Sequence, residues 1–204
     1  VAAGLYVHVT TQQVMDAMSP DAQGLLAVVA TEEATGSEAL AAALEGARLV
    51  AVLTQAQDPG NAGTIIRAAD AAGADAVVLV RGSVDPTAPK VVRSTAGSLF
   101  HLPVVTGVAL DDAVTALHNA GLTVLAADGR GDFDLFEAES LLEAPSAWLL
   151  GNEAHGLPSE ALSRADAVVS IPIYGKAESL NVAAAAAVCL YASARAQAQN
   201  SGRS

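Results

Sequence analysis

The sequence predicts a doubly wound α/β fold, a parallel sheet with helices on both faces, and three observations lead there. Short apolar runs alternate with segments of helical period, and Gly or Pro punctuates the joins. Apolar residues make up 52 % of the 204 residues and are mostly Ala, Val and Leu, a composition suited to strands covered on both sides. Two of the apolar runs, Ala147 to Leu150 and Ala167 to Ile171, lead into loops that combine glycine with a few polar groups. That arrangement suggests a small-molecule site at the strand ends of a parallel sheet.

Taken in order, the chain opens with Thr10-Thr11 as the cap of a short helix from Gln12 to Met18. Ser19-Pro20 ends it, and Gly24 to Ala30 reads as a strand. Thr31 to Ser37 is polar and reads as a linker. Glu38 to Gly46 follows as a short helix closed by its glycine. Leu49 to Leu53 is the first strand of the main domain. Asp58-Pro59-Gly60-Asn61 is a turn, with Asn61 the expected N-cap of a helix from about Ala62 to Ala72. Ala76 to Val80, His101 to Val105 and Thr123 to Ala127 read as strands, and Pro86 to Ser94 and Asp111 to Asn119 as helices. After the strands at Ala147 and Ala167, a final helix with five consecutive alanines runs from about Asn181 to Ala196. The tail from Gln197 to Ser204 reads as disordered. Residues 1–36 read as a separate N-terminal segment plus linker, or a short extension, and residues 37–204 as the main domain.

Composition excludes several function classes. The apolar runs are short and interrupted by charge, so no membrane-spanning helix is predicted. The start of the chain lacks the basic and apolar regions of a signal peptide. The single cysteine, Cys189, permits no intrachain disulfide and reads as a small core residue. A cytoplasmic protein is the resulting expectation. No Cys/His cluster suggests a metal, and no G-x-G-x-x-G follows a strand. The net charge of −12 argues against general nucleic-acid binding. Any basic footprint is local: Arg67, Arg81, Lys90 and Arg93 are four of the ten basic residues.

Three short motifs then narrow the reading. They are Asn61-Ala62-Gly63-Thr64-Ile65-Ile66-Arg67, Gly151-Asn152-Glu153 with Gly156, and Ser179-Leu180-Asn181. Their sequence and order resemble the SpoU (TrmH-type) family of RNA ribose 2′-O-methyltransferases, in the SPOUT class, over roughly residues 48 to 196. The resemblance implies a C-terminal trefoil knot, S-adenosylmethionine as methyl donor with no metal, an RNA substrate, and a homodimer whose active site lies at the interface. Ribosomal RNA is favoured over tRNA because the N-terminal stretch resembles the RNA-binding domain of some members. A tRNA enzyme and a non-catalytic RNA-binding paralogue are the alternatives.

The same resemblance implies residue roles. The donor would lie against Ala127, Gly151, Ile171, Ser179 and Leu180, with backbone groups reading adenine and ribose and the side chains of Ile171 and Leu180 packing on the base. On residue type alone, core packing is the preferred reading of Ile171 and Leu180. Arg67, Asn61, Glu153, Ser179 and Asn181 would form the catalytic set. A guanidinium stays protonated at neutral pH, so Arg67 is expected to clamp phosphate and stabilise a developing alkoxide rather than act as a base. Its competing role is a surface ion pair with Asp70, three positions on. Glu153 either anchors Asn61 or Arg67 or is a solvated loop carboxylate, and capping alone would account for Ser179 or Asn181. Arg93 and Ser94 are expected to touch RNA phosphate.

Overall fold

The computed structural model describes residues 6–20, 22–30, 34–152 and 156–201. They divide into two units, 1–32 and 33–204. The first holds helix α1 (Gln12–Met18), whose N-cap Thr11 accepts a hydrogen bond from the Val14 amide through its hydroxyl. The expected strand at Gly24 to Ala30 is not formed. Leu25 and Val28 are 88 % and 84 % exposed, and a lone strand has no ladder to satisfy its backbone or cover its side chains.

The second unit carries the sheet. Its strands are β1 (Leu49–Leu53), β2 (Ala76–Leu79), β3 (Val104–Val105), β4 (Thr123–Ala127), β5 (Phe133–Asp134), β6 (Ser146–Leu150) and β7 (Ala167–Ser170). All pairings are parallel, in the order β3-β2-β1-β6-β4-β7-β5. Side chains alternate between faces, which splits the core in two. Leu49, Ala51 and Leu53 join the layer under α3 (Pro59–Ala71), α4 (Pro89–Thr95) and α8 (Val182–Ser201). Val50 and Val52 join the opposite layer under α2 (Gly36–Ala43), α5 (Leu110–Asn119) and α7 (Ser159–Arg164). A short helix α6 (Glu139–Leu142) precedes β6.

Several boundaries differ from expectation for identifiable reasons. Helix α3 begins at Pro59, because proline presets the backbone of a first helical turn. Its N-cap is therefore Asp58, whose carboxylate accepts from the Asn61 amide at 2.8 Å. Asn61 is not the cap, and its side chain is released for other contacts. Helix α8 continues through the stretch expected to be disordered. Gln197 is buried there, and its amide donates to the carbonyl oxygens of Ala144 at 2.9 Å and Arg48 at 3.2 Å. These bonds tie the last turns to the loops that lead into β1 and β6. Strand β5 and helices α6 and α7 have at most six residues each, too short for periodicity to reveal. Cys189 is buried against the sheet, as its place in the Ala-rich helix implies.

Candidate active site

The sheet order builds the site. The chain leaves β6 on one side of β4 and returns as β7 on the other, so three parallel strands deliver their C-terminal ends side by side. Register fixes the alignment: Leu125 pairs with Trp148 on one side and Ala167 on the other. The loops after β4, β6 and β7 therefore converge on one cleft, of about 520 Å³, within the range of small-molecule sites. Ala127, Gly151, Ile171, Ser179 and Leu180 all line it, together with Asn61 and Asn181. Seven residues drawn from three separate motifs and two strand ends thus share one cavity.

Each wall has a local cause. After β6, Gly151 runs against the returning backbone of Gly156 and Leu157. A Cβ at Gly151 would sit 2.5 Å from the Gly156 carbonyl carbon and 2.6 Å from the Leu157 nitrogen, so no other residue fits without a backbone shift. Asn152 and Gly156 exchange backbone hydrogen bonds of 3.0 and 2.8 Å, closing the loop. The Asn152 amide side chain donates to the Gln55 carbonyl at 2.9 Å, pinning the loop to the end of β1. Gln55 takes φ 55°, a left-handed conformation costly for a side chain of its size. Glu153 and His155 lie outside the described residues.

Two helix starts meet at the cleft. The Asn181 side-chain oxygen caps α8, accepting from the amides of Ala183 at 2.9 Å and Ala184 at 3.3 Å. Its nitrogen donates to the side-chain oxygen of Asn61 at 3.2 Å. Capping and site construction are thus one interaction: Asn181 cannot be lost without loosening both the α8 start and the hold on Asn61. Ser179 and Leu180 immediately precede this cap and are exposed, with Leu180 40 % accessible. Leu180 therefore offers its apolar surface to the cleft instead of serving as core.

The loop after β4 adds a group whose role the sequence left open. Asp128 lines the cleft with a side chain only 9 % exposed. Arg130 grips it with Nε at 2.8 Å from one carboxylate oxygen and Nη2 at 3.0 Å from the other. That fork holds the Asp128 carboxyl below the usual carboxylate range despite partial burial, and it raises the guanidinium in return. The Asp-x-Arg spacing was the available signal. Gly131, two residues after Gly129, passes so close to β7 that a Cβ would meet the Val168 carbonyl oxygen at 2.6 Å.

Arg67 does not line the cleft. It sits six positions beyond Asn61 on α3, exposed to solvent. The ion pair with Asp70 is not made, because Asp70 is engaged by His101 instead. Arg93 and Ser94 lie on α4, which packs tightly on α3 at Gly63, where a Cβ would meet the Val91 carbonyl oxygen at 2.7 Å. The Ser94 hydroxyl faces this contact, within 3.1 Å of the Pro59 carbonyl and 2.9 Å of the Val91 carbonyl. Its hydrogen bonding serves helix packing, whereas Arg93 is exposed. Among the described residues no three His, Cys, Asp or Glu side chains cluster as a metal would require.

A parallel α/β sheet with a cleft made by three neighbouring strand-end loops, on which the starts of α3 and α8 close, defines the class of α/β proteins that hold small ligands at the carboxyl ends of their strands. The chain belongs to the SpoU rRNA Methylase family, whose model matches residues 48–191. It is 42 % identical over 151 residues to the 23S rRNA (guanosine(2553)-2′-O)-methyltransferase RlmP of Bacillus subtilis, covering 72 % of this chain and 58 % of the relative. It is 30 % identical over 196 residues to the 23S rRNA (guanosine-2′-O-)-methyltransferase RlmB of Bordetella pertussis, covering 95 % of this chain and 79 % of the relative. Its structure resembles the AdoMet-bound rRNA methyltransferase of Sinorhizobium meliloti with a TM-score of 0.77 at 31 % identity, over 91 % of this chain and 70 % of that one. The chain thus spans little more than half the length of the Bacillus relative.

Proposed function

We propose that the chain transfers the methyl group of S-adenosylmethionine to a ribose 2′-hydroxyl of RNA, with 23S ribosomal RNA as substrate. The observation that carries this reading is the single cleft formed by the loops after β4, β6 and β7. Its chemistry suits the donor. Val169, Ile171 and Leu180 offer an apolar wall for an adenine ring, while Gly151 and Gly129 leave backbone accessible beside it. Bound there, S-adenosylmethionine would supply an activated methyl group for in-line displacement.

The chain's own residues then have to orient the acceptor and ease loss of its proton. Asn61, held by Asn181, gives a fixed polar edge at the cleft mouth. Arg67 is the electrostatic residue, clamping phosphate and stabilising the forming alkoxide. Because Arg67 does not line its own subunit's cleft, it is assigned to the cleft of a partner subunit in a homodimer. Arg93 adds a phosphate contact. Glu153 completes the catalytic set as an anchor for Asn61, and Ser179 borders donor and acceptor. The trefoil knot, a cytoplasmic location and descent of residues 1–36 from an RNA-binding domain belong to the same proposal.

The test uses methyl-labelled S-adenosylmethionine with in vitro transcribed 23S rRNA and tRNA, followed by nucleoside analysis. A ribose-methylated nucleoside from 23S rRNA is expected. Label on a base, or on tRNA alone, would overturn the substrate assignment, and donor binding without any transfer would favour a non-catalytic paralogue. Subunit sharing is tested by mixing Arg67→Ala with Leu180→Arg. Recovered activity in the mixture means Arg67 acts across the interface, since each mixed dimer then retains one intact site. No recovery means it acts within its own subunit.

A further inference from the structure

We propose that His101, at the end of the turn Ser98–Phe100, acts as a clamp that keeps Arg67 available to RNA by holding Asp70 away from it. This inference rests on the reading of Arg67 as the phosphate-binding residue.

Arg67 and Asp70 occupy positions i and i+3 of α3, the spacing at which an arginine and a carboxylate meet on a helix surface. Such a pair is the default outcome, yet no described residue forms an ion pair or hydrogen bond with Arg67, while Asp70 is turned to the segment after α4. The His101 Nδ1 lies 2.8 Å from an Asp70 carboxylate oxygen. His101 terminates the short 3-10 turn Ser98–Phe100, so that turn delivers the partner of Asp70. The buried Ser98 hydroxyl and the His101 ring hold the Asp70 carboxyl below its ordinary range.

Asp70 lies in the last turn of α3, where the helix dipole disfavours a negative side chain. It caps no described backbone group. Its side chain is 27 % exposed, against 62 % for His101, so the carboxylate is recessed under the ring. A carboxylate that swung back to Arg67 would occupy the guanidinium fork, and any phosphate would have to displace it. The clamp spends the acceptor capacity of Asp70 elsewhere and fixes its position.

The prediction concerns an acceptor effect that leaves the donor site alone. In His101→Ala, Asp70 is released toward Arg67. The KM for in vitro transcribed 23S rRNA should rise roughly three- to fivefold, toward the upper end of what an exposed arginine–carboxylate pair supports. The dissociation constant for S-adenosylmethionine should stay unchanged. The deciding variant is Asp70→Asn/His101→Ala, which lacks the same contact between α3 and the turn but carries no competing carboxylate. Recovery of KM to within about twofold of the parent supports the clamp. A double variant as impaired as His101→Ala overturns it, because the contact would then matter only for packing. Adding His101→Ala to Arg67→Ala should cause no further loss, and a further loss would likewise overturn the clamp. Full activity of Arg67→Ala alone would instead overturn the role of Arg67 itself, and the inference with it.

Discussion

Gly151→Ala is the sharpest test of how the cleft is built. The added Cβ would run into one peptide group of the returning chain, with the Gly156 carbonyl carbon at 2.5 Å, the Leu157 nitrogen at 2.6 Å and the Gly156 oxygen at 2.8 Å. None of these atoms can rotate away as a flexible side chain would, so the loop itself must move. Overpacking of this kind costs about 1–3 kcal/mol. For a chain of this size that is a drop in Tm of roughly 2–4 °C per kcal/mol, or about 2–12 °C in all. The displaced segment is the Asn152–Gly156 pair, which lines the cleft, so calorimetric affinity for S-adenosylmethionine should fall at least about tenfold, some 1.4 kcal/mol. Gly129→Ala is the control. It also lines the cleft, but its Cβ would meet nothing within 4 Å, so its Tm should match that of the parent. A Gly151→Ala protein with parental Tm and donor affinity would refute the close-approach argument, and with it the account of why that position is glycine.

Two further outcomes follow from ionisation. Asp128 is held low by Arg130, so its folded-state carboxyl titrates below its unfolded value of about 3.9. The stability it contributes is therefore complete above about pH 4 and fades as pH falls toward the depressed folded value. A carbon-detected NMR titration should find the Asp128 midpoint below that of free aspartate, and Arg130→Ala should return it upward; an unmoved midpoint would discount the fork. Burial pushes the Cys189 thiol up to about 12, so native protein should resist alkylation at neutral pH and react fully in denaturant. Rapid labelling of the native state would place Cys189 at the surface.

Much of the fold and cleft was legible because both depend on local pattern. The first strand, Leu49–Leu53, and the strand Thr123–Ala127 are unbroken apolar runs bounded by turn residues, and both appear at the expected residues. The five positions that the family resemblance assigned to the donor lie in or beside loops at strand ends, and all five line one cleft. Long-range contacts were hidden. Gln197 looks like tail until its amide is found bonded to Ala144 and Arg48. Ser94 looks like a surface hydroxyl until Gly63 brings α3 down on α4. Asn61 looked like a cap because Asn caps helices well, but Pro59 moved the helix start and gave that task to Asp58. In each case the deciding partner is distant in sequence or is a proline whose effect shifts its neighbour's role.

The acidic balance finally bears on how RNA can be held at all. A chain of net charge −12 cannot use a broad cationic field. Of its four clustered basic residues, Arg81 turns a guanidinium nitrogen to the Gly107 carbonyl at 3.1 Å and Lys90 faces Asp58 at 4.0 Å. On the reading proposed above, Arg67 and Arg93, exposed on the adjoining helices α3 and α4, make the phosphate contacts. Counterion release scales with phosphates neutralised, at about 0.7 per contact for single strands and 0.9 for duplex. Two contacts predict a slope of log affinity against log salt of only about −1.4 to −1.8. Removing Arg93 should lower its magnitude by about one contact, uniformly across RNA sequences. Filter binding of transcribed 23S rRNA fragments over a salt series reads this directly. A slope steeper than about −4 would mean that RNA is gripped mainly by surfaces other than α3 and α4. A shallow slope would mean that recognition rests on a few well-placed guanidinium contacts, which is the circumstance in which an unpaired Arg67 matters most.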